Sequence, residues 1–218
     1  MIAWFRSHPH LSALLFLSVL PMALLWPSLL GNNTYVPWDL AQFPPVATKL
    51  TPAEHQQTIH EHNTDVTEIP VMFGPQLEFI RSELHQGRVV HWDPYSRSGT
   101  PIWASSILGI DYPLNWPLFL VLDPYQGFAL SAYLAFLIGS MLMYGFLVQL
   151  GLGVLPALFG AIAFAYSATL TINSHFYQRV DALIWLPGIL WAIQSMVERR
   201  KRERVPPLLC LALCMFLT

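Results

Sequence analysis

The feature that most limits what this chain can fold into is a set of long apolar runs that carry almost no charge. The first, residues 11–30, contains 20 residues. A helix of that length spans about 30 Å, the thickness of the hydrocarbon core of a bilayer. A cleaved signal peptide would have a shorter apolar region and a small-residue cleavage site, which the residues from Pro27 to Gly31 do not provide. The run therefore predicts a retained first transmembrane helix.

Further apolar runs follow in the second half of the chain. Residues 127–150, 155–172 and 180–197 are each predicted to cross the membrane as one helix. Residues 205–218 are apolar too, but these 14 residues are fewer than the roughly 20 that a span needs. We therefore expect the chain to be either the N-terminal part of a longer protein or a truncated product. Only 11% of the residues are charged, against about 25% in soluble proteins. The predicted fold is one all-α, polytopic transmembrane domain with four full spans and the beginning of a fifth.

The distribution of basic residues predicts how these spans are oriented. The loop after the fourth span contains five basic residues, Arg199, Arg200, Lys201, Arg202 and Arg204. Because cytoplasmic loops are enriched in Lys and Arg, this loop is predicted to be cytoplasmic, and the N-terminus with Arg6 is then cytoplasmic as well. The long segment 31–125 and the turn at Asn173 are predicted to face outward. No basic stripe exists outside this loop, so we expect no nucleic-acid partner.

The long outward segment is predicted to contain one amphipathic helix, between Phe73 and Gly87. Its apolar residues recur at helical spacing on one face and are Phe73, Leu77, Ile80 and Leu84. Pro75 suits a first helical position and Gly87 suits the residue just past the end. Such a helix lies either on the membrane surface or against other protein. Residues 102–122 are apolar but interrupted by Asp111, prolines and Asn115, which favours interfacial or re-entrant backbone.

Several short motifs occur in a fixed order along the chain. They are Asp39-Leu40-Ala41-Gln42 after the first span, Trp92-Asp93-Pro94-Tyr95 with Gly99 and Pro101, Tyr112-Pro113-Leu114-Asn115, the run 158–167, His175, and Trp185-Leu186-Pro187. Their order and spacing resemble the YfhO-type bacterial membrane proteins, which are related to the C-type (GT-C) glycosyltransferases that use polyprenyl-phosphate sugars as donors. The resemblance covers almost the whole chain, but only the front part of a family member. It implies a GT-C-like fold in the bacterial plasma (inner) membrane.

The resemblance also implies an activity. The expected function is transfer of a sugar from a polyprenyl-phosphate donor to an envelope glycan or lipid acceptor on the extracytoplasmic face. In such transferases an acidic residue of the first outward loop accepts a proton from the acceptor or helps to bind a divalent metal, Mg²⁺ or Mn²⁺. Asp39 is the matching position. It lies nine residues past the first predicted span, near the depth at which a lipid-linked phosphate presents its reactive bond, and a carboxylate base contributes about 10²–10⁴-fold to a rate.

Each candidate residue also has a structural interpretation. Asp39 could cap a turn, and Gln42 could bind a sugar or only the backbone. Asp93 precedes a proline, which favours a turn. Asp111 is interpreted as a second acid or metal ligand, because an ionised carboxylate is costly to bury in an apolar stretch.

A phosphate-bearing donor needs positive charge on the outer side. Arg97 and Arg179 are the leading candidates, and His175 lies in the same predicted outward turn as Arg179. Either arginine could instead pair with an acid such as Asp181 or extend to lipid headgroups, and His175 could serve only as an interfacial anchor.

Two other functions stay open. A non-catalytic scaffold or assembly protein would tolerate substitution of Asp39 and Asp111. A transporter or flippase of lipid-linked sugars would need ionisable side chains near the bilayer midplane, and the four predicted spans are almost free of them.

Overall fold

The computed structural model describes residues 7–31, 35, 51–53, 68–96, 98–102, 108–110, 112–115, 117–118 and 122–199. The chain is mostly helical, with little strand. Its helices are α1 (Pro9–Leu29), α2 (Gly74–His85), α3 (Pro124–Gln149), α4 (Val154–Ala165), α5 (Ala168–Asn173), α6 (Tyr177–Leu183) and α7 (Leu186–Arg199). Two short strands, β1 (Trp92–Asp93) and β2 (Thr100–Pro101), pair antiparallel. The chain divides into two compact units, one formed by Met1–Asn32 with Leu130–Thr218 and the other by Asn33–Ala129.

Three helical stretches are long and apolar enough to cross a membrane: Pro9–Leu29, Pro124–Gln149 and Tyr177–Val197. Their ends agree within three residues with those of the first, second and fourth predicted spans. The prediction of apolar helices long enough to span a membrane is therefore confirmed at these three places. Helix α1 continues through Pro21 and Pro27. The predicted start of a fifth span, residues 205–218, lies outside the described residues, as do four of the five basic residues that precede it.

The predicted third span, residues 155–172, is not one helix in the structure. Helix α4 ends at Ala165, and Ser167 has an extended backbone before α5 begins. The hydroxyl of Ser167 accepts a hydrogen bond from the amide of Leu170 at 3.5 Å, which is how a serine caps the start of a new helix. The 12 residues of α4 are too few to span the hydrocarbon core alone.

Helix α4 turns a small face towards protein and a large apolar face outward. Ala157, Ala161 and Ala165 are fully buried, whereas Leu155 and Phe159 are 77% and 74% exposed. Ala157 and Ala161 belong to a cluster with Ala13 and Leu17 of α1 and Tyr144 of α3. Small residues at helix contacts and large apolar residues outside are typical of packing in lipid, where close backbone approach supplies the attraction between helices.

Tyrosines of α3 provide polar links to α1 within this unit. A hydrogen bond joins the hydroxyl of Tyr144 and Nδ1 of His10 at 2.8 Å. Further along, the hydroxyl of Tyr133 donates to the carbonyl of Ser18 at 3.4 Å. These contacts fix the register of the two helices, which apolar packing alone specifies weakly.

A second cluster in the same unit brings α3, α5 and α6 together. Its buried members are Ala135, Leu170, Val180 and Ile184. Beside it, the ring of Tyr166 stacks on that of Phe136, with the ring centroids 5.1 Å apart and an angle of 7° between the ring planes. The break after α4 therefore lies against α3, and the short helices that follow are held by this cluster.

In the other unit, the predicted amphipathic helix is present as α2, preceded by a π-helical turn, Ile69–Phe73. Phe73, Leu77 and Ile80 are buried, and Leu84 is half-buried. The apolar face is thus covered by protein, which decides between the two placements that the sequence left open.

The end of α2 is closed as the sequence predicts. Gly87 has φ +74, and its amide donates to the carbonyl of Leu84 at 2.9 Å. The next amide, that of Arg88, donates to the carbonyl of Glu83 at 2.9 Å, which completes a Schellman motif. The side chains of Arg88 and Glu83 also form a bidentate ion pair, in which Nε and Nη2 of Arg88 each donate to a carboxylate oxygen of Glu83 at 2.6 Å.

Candidate functional site

The best-defined polar structure is a hairpin formed by the motif Trp92 to Pro101. Trp92 lies opposite Pro101, and Asp93 opposite Thr100. The loop closes with Gly99 at φ +109, and a Cβ at this position would lie 2.5 Å from the Trp92 indole. Glycine is therefore needed here both for its backbone conformation and for its lack of a side chain.

Asp93 is the buried centre of this hairpin, with 2% of its surface exposed. Its Oδ1 accepts the amide of Tyr95 at 2.8 Å, and its Oδ2 accepts Nε2 of Gln76 at 3.2 Å. The same Nε2 donates to Oγ of Ser96 at 3.0 Å. Because Gln76 belongs to α2, the carboxylate joins the hairpin to that helix.

The hydrogen bonds of Asp93 outweigh the cost of burying its charge. Burial by itself raises the pKa of this carboxyl group, but donors from Ser96, Tyr95 and Gln76 together hold the pKa below its ordinary value. Asp93 is thus ionised at neutral pH with both oxygens engaged. This arrangement supports the turn interpretation of Asp93 and makes the residue a poor proton acceptor.

The hairpin makes a second contact with α2 through aromatic rings. Tyr95 meets Phe79 edge to face, with ring centroids 5.3 Å apart at 87°. Tyr95 itself is 82% exposed. Trp92, Asp93, Tyr95 and Gly99 of the motif therefore have structural roles in the hairpin.

The second polar site lies at the junction of α5 and α6. It contains His175, which lies between the two helices, and Arg179, which lies in the first turn of α6. The guanidinium carbon of Arg179 lies 4.4 Å from the centroid of the Phe176 ring. Its Nη1 donates a long hydrogen bond of 3.4 Å to Oδ1 of Asn173. The Asn173 amide is oriented in turn, because its Nδ2 donates to the carbonyl of Thr169 at 2.8 Å.

The charge of Arg179 is not neutralised by a carboxylate in the part of the chain that the structure describes. The sequence suggested Asp181 as an alternative partner, but Asp181 is buried and Arg179 is exposed. Residues two apart on a helix point to different faces, whereas residues three or four apart are neighbours. Arg179 accordingly contacts Phe176 rather than Asp181.

His175 differs from Arg179 in environment although the two are close in sequence. The imidazole is half-buried, and burial lowers its pKa. The neutral form is therefore favoured at pH 7, which makes His175 a hydrogen-bonding group rather than a second cation.

The structure describes two of the six predicted site residues, His175 and Arg179, and it places both at the junction of α5 and α6. Asp39, Gln42, Arg97 and Asp111 lie outside the described residues. The two carboxylates that the sequence associates with catalysis or a metal are among these four. Among the described residues, no group of three or more His, Cys, Asp or Glu side chains is arranged so that it could hold a metal ion.

Three further residues shape these sites and are not among the candidates that the sequence predicts. Gln76 is the side chain of α2 that donates to Asp93, and no sequence pattern indicates this contact. Phe176 and Asn173 contact Arg179, and an aromatic residue three positions before an exposed arginine is a usable signal for such a contact.

No family model, curated protein sequence or solved structure matches this chain. The class of protein is therefore given by the fold and the composition, since three apolar helices of this length are those of a membrane protein. Membership of the YfhO-type proteins stays a prediction that rests on the short motifs.

Proposed function

We propose that this protein is a membrane glycosyltransferase, GT-C-like, that moves a sugar from a polyprenyl-phosphate donor to a cell-envelope acceptor on the extracytoplasmic face. The observation that carries the proposal is Arg179, an exposed guanidinium at the start of a candidate span with no carboxylate partner among the described residues. A lipid-linked phosphate lies at the depth where such a span begins, and arginine is well suited to bind it.

In the proposed reaction, an acceptor hydroxyl attacks the anomeric carbon of the sugar, and the bond from that carbon to the phosphate oxygen breaks. The hydroxyl proton passes to the carboxylate of Asp39, and the polyprenyl phosphate leaves with the electron pair. Arg179 binds the phosphate and stabilises the negative charge that develops on it. His175 contributes a neutral hydrogen bond, while Gln42, Arg97 and Asp111 are assigned to substrate binding and to a second acidic position. No step is assigned to a metal ion.

The first test measures transfer of a ¹⁴C-labelled hexose from its polyprenyl-phosphate donor in membranes that contain the protein. Arg179→Gln is expected to lower the rate about 10- to 150-fold, which corresponds to the loss of one charged hydrogen bond. Asp39→Asn is expected to lower it about 10²–10⁴-fold.

The matched control is Arg88→Gln, which removes an exposed arginine that pairs with Glu83 instead. This variant should retain wild-type transfer. Transfer at the wild-type rate by Arg179→Gln and by Asp39→Asn, with each variant present at normal amounts in the membrane, would refute the proposal.

A non-catalytic scaffold is the second candidate, and one observation favours it. Asp93 and Gly99, which help to carry the family resemblance, are explained by hairpin structure alone. A scaffold predicts that substitutions at Arg179 and Asp39 are silent whereas Gly99→Ala disrupts assembly.

A further inference from the structure

The Arg179 side chain is held on two sides by residues with no assigned function. The guanidinium carbon lies over the Phe176 ring, 4.4 Å from its centroid, and Oδ1 of Asn173 accepts a hydrogen bond from Nη1 at 3.4 Å. In the part of the chain that the structure describes, no other hydrogen bond or ion pair to Arg179 exists. The Nε and Nη2 donors, which form the other edge of the guanidinium fork, are therefore available to a ligand.

An exposed arginine normally samples many rotamers, and this freedom is lost when it binds. Stacking and a polar contact reduce that loss, because the fork is already restricted before the ligand arrives. The paired donors of one edge match two oxygens of a phosphate ester and bind them through parallel hydrogen bonds.

We propose that Phe176 and Asn173 are positioning residues that hold the Nε–Nη2 edge of Arg179 ready to bind a lipid-linked phosphate ester. Phe176 fixes the plane of the guanidinium. Asn173 occupies Nη1, and its own orientation is fixed by the bond to the carbonyl of Thr169. The inference rests on the proposed function, because it deepens the role given there to Arg179.

The amide of Asn173 matters for its lack of charge as well as for its shape. A carboxylate at this position would contact Arg179 more strongly but would neutralise the charge that the phosphate needs. Positioning by a neutral acceptor therefore holds the arginine without competing with the ligand.

The test measures binding of farnesyl phosphate to the protein in nanodiscs, with farnesol as the uncharged probe and phosphatidylglycerol as a competing headgroup. Arg179→Gln is expected to weaken farnesyl phosphate binding about tenfold or more. Phe176→Leu should weaken farnesyl phosphate binding about two- to fivefold, whereas Phe176→Tyr, which keeps the aromatic face, should bind it as the wild type does.

The decisive comparison is Asn173→Asp with Asn173→Ala. Both variants lose the bond to the Thr169 carbonyl, but only the first places a carboxylate beside Arg179. We expect Asn173→Asp to bind farnesyl phosphate about two- to fivefold more weakly than Asn173→Ala. A purely structural role for Asn173 predicts no such difference, and thermal unfolding of each variant checks that the fold is retained.

Each outcome separates the inference from the proposed function. Weaker binding in Arg179→Gln, with no effect of Phe176→Leu or of Asn173→Asp relative to Asn173→Ala, overturns the positioning role and leaves the phosphate contact standing. Unchanged binding in Arg179→Gln overturns both. Equal competition by phosphatidylglycerol supports the positioning role but identifies the ligand as a bilayer headgroup, which removes the support for donor recognition.

Discussion

Replacing Asp93 with asparagine tests whether the buried carboxylate holds the hairpin to α2. The change keeps the size of the side chain but removes the charge that accepts hydrogen bonds from Tyr95, Ser96 and Gln76. A hydrogen bond to a charged group contributes about 1.5–3 kcal/mol and a neutral one about 0.5–1.5 kcal/mol. The new amide also turns an NH₂ group towards at least one donor. We therefore expect a loss of about 2–3 kcal/mol in the local stability of the hairpin.

Hydrogen exchange of the peptide that contains the Tyr95 amide measures this loss. A change of about 2–3 kcal/mol corresponds to a fall in protection of about 30- to 150-fold. Asp123→Asn is the matched control, because its Oδ1 accepts the amide of Tyr125 at 2.9 Å in the same Asp-Pro-Tyr sequence but at an exposed position. We expect Asp123→Asn to lower the protection of the Tyr125 amide by less than Asp93→Asn lowers the protection of the Tyr95 amide. Equal protection in Asp93→Asn and the wild type would refute the reasoning.

The pH dependence of the hairpin follows from the direction of the same shift. The pKa of Asp93 is lower in the folded protein than in the unfolded chain, so its contribution to stability is complete above about pH 4, the unfolded value. The contribution is lost as the pH falls through the lower folded pKa. Protection of the Tyr95 amide should therefore decline below about pH 4 in the wild type, and the Asp93→Asn variant should lack this decline.

Two further substitutions test packing. Gly99→Ala should lower the thermal stability more than Gly151→Ala does: both glycines have positive φ, which costs an alanine about 1–2 kcal/mol, but only Gly99 lies against Trp92. Similar losses in the two variants would contradict the close contact. Tyr144→Phe removes the hydrogen bond to His10 and should lower the free energy of unfolding by about 1 kcal/mol, which a fall in the melting temperature would report. An unchanged melting temperature would show that the bond contributes nothing.

The sequence by itself determined the elements whose cause is local. Runs of about 20 apolar residues form helices in any apolar solvent, because each backbone amide must find a partner within its own segment. The helix α2 was also predictable, since the spacing of Phe73, Leu77 and Ile80 defines one face and Gly87 supplies the left-handed residue at its end. The sequence also favoured the turn role of Asp93, which the hydrogen bonds to Tyr95 and Gln76 support.

Only the tertiary structure decided features that depend on neighbours distant in sequence or on the exact rotation along a helix. Hydropathy does not reveal the break at Ser167, because the chain is apolar on both sides of it. Tertiary contacts hold the two sides: Tyr166 stacks on Phe136, and Leu170 of the new helix packs in a cluster with Ala135. The sequence also does not determine the partner of Arg179. Asp181 is near in sequence, but it lies on the buried side of the helix, whereas Arg179 is exposed and contacts Phe176. The contact between Gln76 and Asp93 spans 17 residues, and no local pattern specifies which side chain of α2 meets the hairpin.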